Sequence, residues 1–78
     1  FHDGTWERGT WKGGAFLGGT WENGYWFGGS FHEGTWKYGR WFGGEWKGGT
    51  WIKGKIWYKG KFVESKVSPD IFFKNNPV

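Results

Sequence analysis

The chain of 78 residues has no cysteine, no long apolar run and no block of like charges. Without cysteine it has no disulfide framework and no thiolate metal site, and its redox compartment stays undetermined. No apolar stretch approaches the roughly 18 residues that a membrane-spanning helix needs, and no signal-peptide pattern is present. The net charge of +4 is spread along the chain, which permits contact with anionic surfaces without indicating a polybasic patch.

The chain is instead rich in glycine and in aromatic residues. Glycine accounts for 17 residues and disfavours helices, since each glycine costs a helix interior roughly 0.5–1 kcal/mol. Phe, Trp and Tyr make up 26% of the chain, and each ring can bury roughly 150–250 Å². Disordered chains contain few aromatics, so the composition predicts one small ordered domain.

An aromatic ring recurs at every fifth position, and a glycine follows each ring by three positions. The unit W-x-x-G-x covers residues 1–55, and such fixed-period repetition indicates stacked structural modules. The same spacing places a glycine two positions before the next ring, as in Gly9-Thr10-Trp11. Alternation along this short strand predicts that the glycine and the ring face inward, while the residue between them faces outward. After Phe1, the predicted core consists of Trp6, Trp11, Phe16, Trp21, Trp26, Phe31, Trp36, Trp41, Trp46 and Trp51.

A second period, three pentads long, lies within the first. It aligns Thr5 with Thr20, Thr35 and Thr50, and the segment 26–29 (Trp-Phe-Gly-Gly) with the segment 41–44. In a three-sided parallel coil, equivalent residues of successive three-pentad units lie directly above one another. The sequence therefore favours an all-β fold, a three-sided β-solenoid with about 15 residues per coil and a Trp/Phe/Gly core. The alternatives are an antiparallel meander of very short hairpins and an intertwined trimeric β-prism.

Segments such as 9–13 (Gly-Thr-Trp-Lys-Gly) and 19–23 (Gly-Thr-Trp-Glu-Asn) resemble the unit of pentapeptide-repeat proteins. Here glycine replaces the small residue and tryptophan replaces the central Leu or Phe, and the three-pentad period departs from the four-sided coil of that family. The segment 18–24 (Gly-Gly-Thr-Trp-Glu-Asn-Gly) is similar to the Gly/Trp repeats of bacteriophage structural proteins of the tail-fibre type. This second resemblance implies a place in a virion or on an extracellular surface.

The repeat register ends after Gly54, and residues 56–78 are expected to form a C-terminal strand plus a short helix or turn that caps the solenoid. Residues 55–63 are typical of a strand. Ser68, Pro69 and Asp70 are typical of a helix start. Phe72 or Phe73 is then expected to cover the last coil, the alternative being an interaction tail. Since the chain opens within a repeat, we also expect that it continues upstream or is covered by a partner.

No motif predicts catalysis, a cofactor or a metal site. His2 and His32 are the obvious candidates, but they lie two coils apart, roughly 10 Å at sheet spacing, and cannot share one zinc ion. Both are interpreted as surface residues. The glycine pattern is not a phosphate-binding loop, because the strand–loop–helix context is missing. The prediction is that the chain is not an enzyme.

The residues between the rings offer the candidate binding or assembly surface. Outward aromatic strips bind sugar rings, stack nucleobases or contact other subunits. The leading hypothesis is a non-enzymatic structural module of a fibre, spike or virion assembly that self-associates or contacts neighbouring structural subunits. The alternative is a carbohydrate-binding module, whereas the modest positive charge makes nucleic acid an unfavourable partner. The candidate surface residues are Phe27, Phe42, Tyr25, Tyr38, Leu17 and Ile52.

Overall fold

Two-residue strands alternate with glycine turns in the structure, a computed structural model that describes residues 3–77. The described residues do not include Phe1, the first ring of the repeat register, or His2, which aligns with His32 in the sequence. The strands are β1 (Thr5–Trp6), β2 (Thr10–Trp11), β3 (Ala15–Phe16), β4 (Thr20–Trp21), β5 (Tyr25–Trp26), β6 (Ser30–Phe31), β7 (Thr35–Trp36), β8 (Arg40–Trp41), β9 (Glu45–Trp46), β10 (Thr50–Trp51), β11 (Gly54–Tyr58) and β12 (Lys61–Ser65).

Every third strand belongs to the same sheet. The first sheet has the order β1-β4-β7-β10, the second β12-β11-β8-β5-β2, and the third β3-β6-β9. Except for the β11–β12 pair, the strands are parallel and their partners lie three pentads apart, as for Thr20 and Thr35. The predicted three-sided solenoid is confirmed, with about three turns formed by a single chain. Within residues 3–77 the repeat strands pair in parallel with one another and not as an antiparallel meander.

Backbone hydrogen bonds run along the axis from each coil to the coil before it. In the first sheet, the Thr35 amide donates to the Gly19 carbonyl at 2.9 Å and the Lys37 amide to the Trp21 carbonyl at 2.8 Å. The same two-bond pattern recurs on the other two sides. A strand of only two residues is stable because each pentad forms two backbone hydrogen bonds with the equivalent pentad of the preceding coil.

Three columns of stacked rings fill the interior. In the first column, successive ring centroids lie 5.4 Å apart for Trp6 and Trp21, 4.8 Å for Trp21 and Trp36, and 4.9 Å for Trp36 and Trp51. Rings of different columns meet edge to face, as Trp21 and Trp26 do at 75°, the geometry that aromatic quadrupoles prefer. Trp21 and Trp36 are completely buried, whereas Trp6 in the first coil is only half-buried.

Both backbone conformation and close packing explain why the repeats contain glycine. Gly39 has a φ of 138°, which side chains rarely adopt, and a Cβ there would lie 2.7 Å from the Gly24 carbonyl oxygen. Gly54 has no positive φ, yet a Cβ would lie 2.9 Å from the indoles of both Trp36 and Trp51. A Cβ at position 54 would also approach the Gly39 carbonyl oxygen to 2.9 Å. Close packing, without any conformational demand, therefore requires glycine at position 54.

The last coil continues into a hairpin and a helix. Ile56 takes the next core position, fully buried and paired with Trp41. The segment 55–63, expected to be one strand, is divided between β11 and β12. Lys59 and Gly60 make the turn with φ values of 51° and 84°, because a two-residue hairpin turn of type I′ needs positive φ at both positions.

The helix α1 (Pro69–Asn75) follows the hairpin. Ser68 occupies the N-cap position, but its side chain makes no capping bond to the helix backbone and its hydroxyl donates to the Asp70 carboxylate. Phe72 is 7% exposed and joins the core cluster, while the half-buried Phe73 packs beside it. Trp51, at the end of its column, donates its indole N–H to the Ser65 carbonyl at 3.1 Å.

Candidate functional site

The outward face of the second sheet carries two ladders of side chains. Because each tryptophan turns inward, the residues on either side of it point outward. The ladder that precedes the core residues follows the strand register and contains Thr10, Tyr25, Arg40 and Lys55. The ladder that follows the core residues has the same spacing and contains Lys12, Phe27, Phe42 and Trp57.

Five rings of these ladders and of β12 form one cluster, which we call the aromatic patch: Tyr25, Phe27, Phe42, Trp57 and Phe62. The rings of Phe27 and Phe42 are stacked at 4.4 Å, and Phe42 contacts Trp57 at 5.6 Å and Phe62 at 5.1 Å. Phe27 remains 46% exposed, Tyr25 41% and Trp57 39%. A contiguous exposed patch of rings is typical of an interaction surface.

Arg40 joins the aromatic patch to the polar surface beside it. Its guanidinium carbon lies 5.3 Å from the ring centroid of Tyr25 and 5.5 Å from that of Phe62, within the range of a cation–π contact. Among residues 3–77 the side chain of Arg40 has neither an ion-pair partner nor a hydrogen-bond acceptor. The guanidinium is thus held by rings, and its N–H donors remain available.

A groove of about 380 Å³ lies beside Tyr25 and Arg40. The rings of Phe27 and Phe42 stack along the solenoid axis, so their planes lie across it. The plane of the Tyr25 ring is within 21° of that of Phe42 and therefore has a similar orientation. Arg40, one coil above, lies over the ring of Tyr25, and Thr10 is the strand partner of Tyr25 one coil below. The groove is lined by Arg8, Gly9, Thr10, Asn23, Gly24, Tyr25 and Arg40.

A second groove of about 340 Å³ shares Arg8 and Asn23 with the first and is more acidic. It is lined by Thr5, Glu7 and Glu22 in addition to these two residues. Glu22 forms an ion pair with Lys37 at 3.3 Å. The charge along the two grooves therefore changes from negative near Glu7 to positive near Arg40.

The six predicted surface residues do not lie together. Tyr25, Phe27 and Phe42 belong to the aromatic patch. Leu17 follows β3 and is 39% exposed, while Ile52 follows β10 and is 50% exposed, which places them on the third and first sheets. Tyr38 lies in the corner between β7 and β8, with the Lys53 ammonium 5.8 Å from its ring centroid.

Sequence reasoning missed Trp57, Phe62 and Arg40. Continuing the three-pentad spacing beyond Gly54 leads from Phe42 to Trp57, and the pairing of Trp57 with Phe62 follows from the hairpin turn. The signal for Arg40 is its place in the ladder of Tyr25. Trp57 and Phe62 lie beyond Gly54, where the glycine register and its side assignments end, whereas Arg40 lies within the repeats.

Metal-binding and membrane-spanning features are not found in the part of the chain that the structure describes. No three His, Asp or Glu side chains in residues 3–77 are close enough to bind one metal ion. His32 is half-buried and follows β6 on the third sheet, away from both grooves. Over the same residues, no helix has the length and apolar character to cross a bilayer.

Comparison with protein-family models, curated proteins and solved structures finds no match to this chain.

Proposed function

We propose that the chain is a non-enzymatic structural module, a rigid repeat segment of a fibre, spike or surface assembly. The observation that carries this proposal is the column of stacked tryptophans from Trp6 to Trp51, which runs through the coils without interruption. A virion component such as a tail fibre is the specific assembly that the resemblance of the repeats favours.

Rigidity follows from the arrangement of the bonds. The three sheets form the sides of a prism, and their hydrogen bonds of 2.8–2.9 Å run along its axis. Bending the prism would stretch one sheet and compress the others, and the close-packed rings between them resist both changes. Such a body transmits force and separates the elements at its ends.

Two measurements test the structural module. Light scattering over a concentration series is expected to show self-association, and antibody labelling in electron micrographs is expected to mark fibres, spikes or particle surfaces. Phe27→Ser/Phe42→Ser and Leu17→Ser/Ile52→Ser are matched pairs of variants on different faces, and the pair that abolishes association identifies the contact face. A strictly monomeric chain and antibody labelling confined to the cell interior would together refute the proposal.

A second candidate, carbohydrate binding, is favoured by the exposed aromatic patch next to a polar groove. Sugar sites combine an aromatic surface with a few polar groups that fix the orientation of the ligand. We expect glycan binding that Phe27→Ala/Phe42→Ala weakens while the far-ultraviolet circular dichroism stays unchanged. Binding of the same glycans by the folded double variant would exclude this surface.

A further inference from the structure

We infer that the groove between Arg8 and Arg40 binds an acidic sugar, a hexuronic acid unit within a glycan. This inference rests on the second candidate function, carbohydrate binding, and specifies its ligand class. Its first basis is Tyr25, which lines the groove, is 41% exposed and lies under the guanidinium of Arg40. The C–H face of a pyranose ring is the natural partner of such a half-exposed aromatic ring.

The second basis is the state of Arg40. Its guanidinium is fixed by Tyr25 and Phe62 and has no acidic partner within residues 3–77. A planar guanidinium held by rings binds a carboxylate through two parallel hydrogen bonds, and its preorganisation reduces the entropy lost on binding. A sugar in contact with Tyr25 therefore finds a donor for its carboxylate in Arg40, which lines the same groove.

The remaining groups of the groove suit sugar hydroxyls. Thr10 offers a hydroxyl, Asn23 an amide and Arg8 a second guanidinium. Asn23 already accepts a hydrogen bond from the Gly24 amide at 2.8 Å, which fixes its orientation and leaves its NH₂ donors for the ligand. Arg8 and Arg40 lie two coils apart, roughly 10 Å along the axis, so one groove accommodates more than one sugar unit.

The charge pattern argues against a long polyanion. A nucleic acid strand following the groove from Arg40 past Arg8 would reach Glu7 and Glu22. The affinity of such a strand depends on many basic contacts along its backbone. A single carboxylate beside Arg40 avoids this repulsion, and so the observations favour the acidic sugar.

The test uses a trisaccharide that contains one hexuronic acid unit and the same trisaccharide with that carboxyl group reduced to an alcohol. Titrations followed by calorimetry and by amide chemical shifts are expected to show the acidic form binding more tightly. Arg40→Gln should weaken its binding about 10- to 100-fold, the usual loss for a charged hydrogen bond. Arg40→Lys should restore only part of the affinity, because a lysine keeps the charge but lacks the fork.

Lys55→Gln is the matched control, since Lys55 precedes the next coil's core residue in the same ladder but does not line the groove. It removes the same charge and should change the affinity less than about twofold if the geometry of Arg40 matters. Tyr25→Ala should weaken both trisaccharides. Unchanged melting temperatures would show that each variant is folded.

Three outcomes would overturn the inference. Equal binding of both trisaccharides, with Arg40 dispensable, would leave carbohydrate binding standing but remove the acidic class. Binding of neither would remove both. Tighter binding of a single-stranded oligonucleotide than of the acidic trisaccharide would assign the groove to nucleic acid.

Discussion

At the scale of single residues, most core positions hold tryptophan, although leucine or phenylalanine would bury no indole N–H group. The buried indole nitrogens of Trp21, Trp26 and Trp36 have no hydrogen-bond acceptor within residues 3–77, whereas the indole of Trp51 bonds to Ser65. An unpaired buried donor costs about 1–3 kcal/mol. Stacking on the rings above and below and edge contacts with the neighbouring columns offset that cost. The wide indoles leave no room for a side chain at the neighbouring positions Gly39 and Gly54.

Replacing Gly54 with alanine tests this pairing of ring and glycine. The backbone at Gly54 suits any residue, so the penalty arises from the contacts of the new methyl group with the indoles of Trp36 and Trp51 and with the backbone one coil below. We expect a loss of about 1–3 kcal/mol, as for overpacked cores, and a decrease in Tm of about 4–8 °C per kcal/mol.

Gly13→Ala is the control, because Gly13 has no positive φ and no atom within 4 Å of its Cβ position. It should leave Tm unchanged or raise it slightly by reducing the freedom of the unfolded chain. Equal Tm values for the two variants, measured by circular dichroism, would show that close packing does not select glycine at position 54.

At the scale of elements, the hairpin and the helix differ from the repeats because they contact only one end of the solenoid. Tyr58 of β11 meets Phe72 of α1 edge to face at 5.3 Å, and its ring is tilted by 56° against that of Phe73 at 6.1 Å. Phe72 in turn belongs to the buried core cluster. These contacts favour the interpretation of residues 56–78 as a cap.

Truncation of Phe72 tests that interpretation. Phe72→Ala should lower the free energy of unfolding by about 3 kcal/mol, since a phenylalanine that is 7% exposed loses most of its buried surface. The neighbouring Ile71 is 45% exposed, and Ile71→Ala should cost less than about 1 kcal/mol. Urea unfolding of both variants measures the difference, and two equally small losses would favour an interaction tail over a cap.

The elements could be predicted from the sequence wherever the repeats fix both period and side. The column of Thr5, Thr20, Thr35 and Thr50, together with the other matches at three pentads, favours a parallel coil, and these residues do pair. The turn at Lys59 was missed, because a positive φ at lysine has no strong local signal.

The candidate groove could not be derived in this way. Its residues come from three coils, and its shape depends on how the side chain of Arg40 lies between Tyr25 and Phe62. Repeat spacing places these residues on one face, but it does not determine rotamers or which ring faces stay open. The aromatic patch was thus partly predictable, and the groove was not.

At the scale of the whole molecule, the structure is elongated, with extents of 32 × 21 × 20 Å, and its coils succeed one another along one axis. Each coil contacts the coil above and the coil below, so the stability is approximately a sum of coil and interface contributions. The interior coils are the most buried, and the half-buried Trp6 and Trp11 mark the first coil as the least covered. An additional coil in register should therefore extend the molecule without changing its ends.

Duplicating residues 22–36 directly after Trp36 provides such a coil. Because the insertion spans three complete pentads, it keeps every later residue on its own sheet and adds one ring to each of the three columns. We expect the long axis to grow by about 4.8 Å, the spacing of neighbouring strands. The free energy of unfolding should rise by at least about 1 kcal/mol, because one more interface of stacked rings is buried and an aromatic pair contributes about 0.5–1.5 kcal/mol.

A shuffled insertion separates register from size. It contains the same residues as the duplicated coil in an order that breaks the W-x-x-G-x spacing, so length, charge and composition are identical. The shuffled coil cannot place its rings in the columns, and it leaves the core tryptophans of the flanking coils exposed where the stack is interrupted. We expect a lower Tm than in the original chain and a red shift of tryptophan fluorescence, whereas small-angle scattering of the duplicated chain should show a longer rod. Equal Tm values for the two insertions would mean that hydrophobic collapse, and not the stacking of rings in columns, holds the coils together.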